Sequence, residues 1–90
     1  MSYEFDVSSE LKEKLKILAK KNKLLYERVL KKINEIVNCF DVECYKNLKY
    51  NMKDSKRVHI GPFVLVFRYD KQKNFLTFYD FDHHDRIYKK

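Results

Sequence analysis

Ninety residues make a single domain, 1–90, and a chain this short hides only about 60% of the surface its unfolded form exposes. With 44% hydrophobic residues, seven Phe, seven Tyr, one Gly and one Pro, the composition excludes a disordered linker. The longest uncharged run, Val58 to Phe67, falls well short of the roughly 20 residues that cross a bilayer, so the expectation is a soluble, cytoplasmic protein with no membrane partner. Twenty Lys and Arg against 13 Asp and Glu leave a net charge of +7, which favours a polyanionic partner.

In chain order, Tyr3 to Val7 alternates apolar and polar residues and reads as a half-buried strand. Ser8 and Ser9 offer a helix N-cap with Glu10 in the first turn, and Leu11, Leu15 and Leu18 follow at helical spacing. A break near Lys21-Asn22 separates a second helix, striped by Leu25, Val29, Ile33, Ile36 and Val37 and stopped at Asn38. Cys39 and Cys44 supply half of a zinc ligand set, so buried reduced thiols are expected there. Lys46, Lys49, Lys53, Lys56 and Arg57 face only Asp54 in charge and read as a phosphate-facing patch or, equally, as a solvated loop. Arg57 to Ile60 alternates, Gly61-Pro62 turns, Phe63 to Tyr69 is a long apolar strand, residues 70–74 turn again, and Phe75 to Phe81 is an aromatic-rich strand.

The order β-α-α-β-β-β predicts an α+β fold: an antiparallel four-stranded sheet with the N-terminal helical hairpin packed on one face and the other face open. A two-residue loop at Gly61-Pro62 pairs Ile60 with Phe63 and His59 with Val64. That register turns Val58, Ile60, Phe63, Leu65 and Phe67 to the helices and Arg57, His59, Val64, Val66 and Arg68 outward. A four-residue loop at Lys71 to Asn74 then buries Leu76 and Phe78 and turns Thr77, Tyr79 and Phe81 outward. A slip of one residue would reverse these faces. Basic groups interleaved with Tyr79 and Phe81 suit single-stranded RNA, the cations for phosphates and the rings for bases.

The tail, Asp82-His83-His84-Asp85-Arg86-Ile87-Tyr88, carries the densest chemistry. Asp82, His83, His84 and Asp85 have donors that suit a divalent metal. Neighbours on an extended chain diverge, however, and the surrounding charge is positive, so no metal is expected. A second reading is cofactor-free acid–base work on RNA: imidazole moves protons near neutrality, and Arg or Lys meets charge at the phosphorane. The third is a merely polar tail.

Taken together, the element order, Lys46-Asn47-Leu48-Lys49, the run from Arg57 to Phe67, and the ending from Asp82 to Tyr88 resemble the RelE/ParE toxin superfamily, in its archaeal-type, RelE-like mRNA interferase branch. The resemblance implies a type II toxin that enters the ribosomal A site and cuts mRNA through the ribose 2′-hydroxyl, and a RelB-like antitoxin that neutralises it. It places Arg57 and His59 at the family's basic pair, His84 at a basic position, and Tyr88 at the terminal tyrosine. Val64 stands where the family has arginine. On this reading Arg57 and Arg86 hold the phosphate, His84 and His59 exchange protons, and Tyr88 stacks or donates. Lys46, Lys49, Lys56, Arg68, Tyr79, Phe81 and His83 contact RNA. Rival readings are a ParE-like gyrase inhibitor without nuclease activity, motivated by Val64, and a non-catalytic RNA-binding module.

Overall fold

A computed structural model describes residues 3–45 and 55–89, with Tyr88 and Lys89 described by their backbone alone. The elements are β1 (Glu4–Val7), α1 (Ser9–Lys21), α2 (Lys23–Val37), a 3-10 turn (Val42–Cys44), β2 (Ser55–Ile60), β3 (Phe63–Asp70), β4 (Phe75–His83) and α3 (His84–Lys89). Among these residues no helix is long and apolar enough to cross a membrane.

The N-cap of α1 is one of the two serines expected, and at the expected break Asn22 caps both helices. The Ser8 hydroxyl accepts the Leu11 amide N–H and starts α1. Asn22 works twice. Its backbone N–H donates to the Leu18 carbonyl to end α1, and its side-chain oxygen accepts from the Leu25 amide to begin α2. One residue therefore joins the helices, and their stripes meet the same sheet face. Leu11, Leu15, Leu25, Val29, Ile33, Ile36 and Val37 pack on Ile60, Leu65, Phe67, Leu76 and Phe78. Phe78 is fully buried between Phe67, with ring centroids 5.4 Å apart, and Phe5 at 6.0 Å.

The sheet runs β1-β4-β3-β2. β2–β3 and β3–β4 are antiparallel hairpins, whereas β1 pairs with β4 in parallel, Glu4 opposite Phe75 and Val7 opposite Phe78. The sheet is thus mixed rather than wholly antiparallel. β1 reaches its partner through the rest of the domain and not through a hairpin, so no turn dictates its direction. The β2–β3 register is the one the short loop dictates, with Ile60 opposite Phe63 and His59 opposite Val64. Gly61 has φ 60°. A positive φ followed by proline, whose φ is confined to negative values, is the II′ hairpin pattern.

Two features depart from simple alternation. The β3–β4 register shifts between Val66, opposite Asp80, and Phe67, opposite Phe78. Tyr79 is the extra residue of a β-bulge, which reverses the facing of everything after it. Phe81, expected outward, instead enters the helix-side core and is 6% exposed, stacked on Phe63 at 5.3 Å. Second, the tail is helical. α3 lies on the sheet face opposite α1 and α2, where Ile87 is buried with Val64 and Val66 and Tyr79 packs alongside. The face expected to be open is therefore partly covered. Both cysteines are free, but Cys39 is half-buried and Cys44 exposed, so the second thiol is not the buried one expected. Burial raises the Cys39 thiol pKa.

Candidate nucleic-acid interface

β-Strand alternation separates the cations of β2. Arg57 and His59 point to the α3 side, while Lys56, the residue before Arg57, turns inward, 6% exposed, and donates through Nζ to the Tyr45 carbonyl at 3.2 Å. Lys56 is therefore fixed inside the fold, where it does not track a nucleic-acid backbone as expected. Ser55 is also buried and lies 3.1 Å from the Tyr79 hydroxyl. Lys46 and Lys49 lie outside the described residues.

The start of α3 is tied to the β2–β3 turn: the His84 amide donates to the Pro62 carbonyl at 2.9 Å. That bond carries the His84 ring to His59, and the two imidazoles stack with centroids 5.8 Å apart and planes inclined by 27°. On the other side of His59, Arg57 Nη1 lies 2.9 Å from His59 Nε2. A guanidinium has donors only, so in this contact His59 Nε2 presents its lone pair and the ring proton sits on Nδ1. Arg57, His59 and His84 thus form one continuous chain of contacts, with His59 and His84 exposed and Arg57 half-buried.

Asp85 adds a carboxylate to this chain. Its Oδ1 is 3.6 Å from His84 Nδ1 and its Oδ2 is 3.8 Å from His83 Nδ1. These separations are too long for hydrogen bonds and place the carboxylate beside both rings. The sequence weighs Asp85 as a metal ligand, and its adjacency to two histidines is the signal for its place beside both rings. Among the described residues no group of three or more His, Cys, Asp or Glu could hold a metal ion.

Other described residues of the tail, Asp82, His83, Asp85 and Arg86, line a cleft with Phe63. His83 ends β4 and sits edge-on to Phe63 at 5.7 Å, while its Nδ1 accepts the Asp85 amide at 3.2 Å. Arg86 shares neither of its clefts with Arg57; the other one, on the α1 side, is formed with Lys14, Lys21, Phe63, Phe81 and Asp82. Helical geometry explains this: with Ile87 facing the sheet, positions 84 and 86 fall on opposite flanks of α3. Lys14 bridges into the same region, 2.6 Å from Asp80 and 3.6 Å from Asp82. Tyr88 lies one helical turn beyond His84.

Arg68 and Tyr79 share the outward sheet face at its other end, with the guanidinium 5.5 Å from the Tyr79 ring centroid. They line a separate cleft with Ser8, Glu10 and Thr77. Four strand residues, roughly 13 Å, separate Arg68 from Val64. Val64 itself is fully buried under Ile87, so the position where the resemblance implies an arginine is here a core position.

No family model matches the chain. Among individual proteins, it is 44% identical over 98% of its length to the candidate toxin RelE4 of Methanocaldococcus jannaschii, 93% of which is covered. It is 47% identical, over 96% of its length, to an uncharacterised protein of Methanosarcina mazei, 99% of which is covered. The fold is shared with a double arginine-to-alanine variant of E. coli RelE in the free state. That match has a TM-score of 0.76 at 17% identity and covers 99% of this chain and 93% of that one. The RelBE2 toxin–antitoxin complex of Mycobacterium tuberculosis matches with a TM-score of 0.61 at 17% identity, covering 93% of this chain and all of that one. With an architecture common to solved RelE structures and such identity along nearly its whole length to a RelE relative, the chain belongs to the family of RelE-like toxins.

Proposed function

We propose that this protein is the toxin of a type II toxin–antitoxin pair and acts in the cytoplasm as a ribosome-dependent endoribonuclease. It would cleave mRNA through the ribose 2′-hydroxyl, using its own side chains. The observation that carries the reading is the contact chain from Arg57 through His59 to His84. RNA brings an internal nucleophile. Its cleavage needs a base for the 2′-proton, an acid for the leaving 5′-oxygen, and positive charge at the phosphorane. Two imidazoles at 5.8 Å can divide the proton work, and Arg57 beside them can bind the phosphate. A phosphate that draws Arg57 away also frees His59 Nε2, so substrate binding would switch on the second imidazole. Tyr88, one turn past His84, is proposed to stack on a base or donate to the phosphate. Phosphate contact at the imidazole pair rests on Arg57, which lies beside His59, while Arg86 would meet the strand in the adjoining cleft of His83 and Asp85.

Surrounding groups extend the reading. Arg68 and Tyr79 pair a cation with a half-buried ring that lines a cleft and would receive a neighbouring nucleotide. His83 stands beside the histidine pair in sequence and would contact RNA with it. The net charge of +7 favours an acidic or amphipathic antitoxin that folds on the toxin and blocks it. The RelBE2 complex supports a partner of this kind.

The test is cleavage of a defined message on programmed ribosomes by the unsubstituted, His84→Ala and His59→Ala proteins across pH. The proposal expects a bell-shaped profile and a loss of about a hundredfold or more for His84→Ala. Unchanged cleavage by both variants would remove the imidazole mechanism. One observation favours a second reading: burial of Val64 deletes the family's cation, as expected of a ParE-like gyrase inhibitor. Inhibition of supercoiling by purified gyrase, with mRNA left intact, would select it.

A further inference from the structure

We propose that the cleft between α2 and the β2–β3 turn is a second phosphate subsite, in which Arg28 and Lys31 hold a phosphodiester of the RNA strand next to the one at His59. The inference rests on the RNA-binding reading above and adds residues that neither the sequence pattern nor the family resemblance singled out.

The cleft has a volume of about 270 Å³ and is lined by Arg28, Lys31, Lys32, Glu35, His59 and the turn residues Ile60 and Gly61. His59 belongs both to this cleft and to the stacked pair with His84, so a strand passing the pair runs directly into it. Arg28 spans the gap from the helix: its Nη1 lies 4.0 Å from where a Cβ on Gly61 would stand. The one carboxylate in the lining is already engaged, with Glu35 2.9 Å from Lys32 Nζ. Lys32, with a smaller contribution from the Lys31 charge, holds the Glu35 carboxyl below its ordinary pKa. Among the described residues no carboxylate lies within ion-pair distance of Arg28 or Lys31, and both are exposed. Three residues apart on α2, they project from neighbouring positions of one helix surface. A guanidinium fork beside an ammonium group suits the two free oxygens of a phosphodiester. The polar lining, without a large apolar floor, favours phosphate over an amphipathic peptide.

The experiment measures binding of a short single-stranded RNA across salt concentrations by fluorescence anisotropy. The His84→Ala protein provides an uncut background, with Arg28→Gln/Lys31→Gln added in one version and Lys12→Gln/Lys16→Gln in another. The second pair makes the same charge change on α1, away from the cleft. Because all four side chains are exposed, melting temperatures should match. Two lost phosphate contacts lower the slope of log affinity against log salt by about 1.4, equivalent to roughly 25-fold at 0.1 M salt. That loss is expected for the α2 pair and not for the α1 pair. Equal slopes in the background and the α2 variant, or equal losses in both double variants, overturn the subsite while leaving the nuclease proposal standing. An unchanged slope with weakened binding of an acidic antitoxin assigns the cleft to protein and also overturns it. A background protein that binds no RNA overturns the subsite, whereas the nuclease reading stands or falls with cleavage on programmed ribosomes.

Discussion

Replacing Ile87 with Ala tests how the outer face is assembled. Ile87 is 5% exposed and is the α3 side chain that packs on Val64 and Val66, in a cluster separate from the main core. The change removes three carbons, worth about 2.4 kcal/mol at 0.8 kcal/mol per buried methylene, within the range of about 2–5 kcal/mol for truncating a buried aliphatic side chain. α3 has six residues, whereas an isolated helix shorter than about 12 is marginal in water, so its order depends on this docking. About 2.4 kcal/mol shifts the docked-to-free ratio of α3 by roughly 60-fold. The reporter is the His84 amide, hydrogen-bonded to the Pro62 carbonyl. Hydrogen exchange followed by NMR should show it exchanging faster by about that factor. Amides of α1, α2 and β3 should keep their protection, and cleavage should fall as His84 leaves His59. Unchanged exchange at His84, or protection lost evenly across the domain, would refute the idea that α3 is a separately docked unit.

Other perturbations probe the rest of the architecture. Phe78→Ala empties the fully buried site between Phe5 and Phe67. It should cost about 3–5 kcal/mol and lower the midpoint by well over 10 °C at roughly 4–8 °C per kcal/mol; a calorimetric shift under about 5 °C would count against that packing. Asn22→Ala removes the acceptor that starts α2 and should cost about 1 kcal/mol in urea denaturation, with Asn22→Asp retaining most of it. Iodoacetamide should modify exposed Cys44 before half-buried Cys39. Desolvation raises the Cys39 thiol, so its thiolate is scarcer at a given pH and its rate should keep climbing above the ordinary thiol range. Equal rates by mass spectrometry at every pH would contradict this.

Local chemistry made much of the fold legible in the sequence. The leucine and isoleucine stripes, the Asn22 break and the two hairpin loops are each specified within a few residues, and the β2–β3 register follows from the loop length. What escaped depends on distant partners. No turn sets the direction of β1. The Tyr79 bulge arises from packing across β3, and it alone turns Phe81 inward. Among the described side chains of α3, Ile87 is the buried apolar one, too little periodicity to announce a helix. For the site, alternation brought Arg57 and His59 together. The same alternation, applied one residue earlier, would have placed Lys56 inside. The proximity of His84 to His59 depends on the Pro62 carbonyl, and the displacement of Arg86 on the helicity of the tail; neither is visible in residue types.

The most direct test of the central claim, that the Arg57–His59–His84 chain cuts RNA by way of the ribose hydroxyl, is the chemistry of the fragment ends. Transfer from the 2′-oxygen should leave a 2′,3′-cyclic or 3′-phosphate upstream and a free 5′-hydroxyl downstream, and a single 2′-deoxy nucleotide at the cut should protect the message. A message cut at the deoxy position as quickly as the all-ribose one, or fragments carrying 5′-phosphates, would contradict the account.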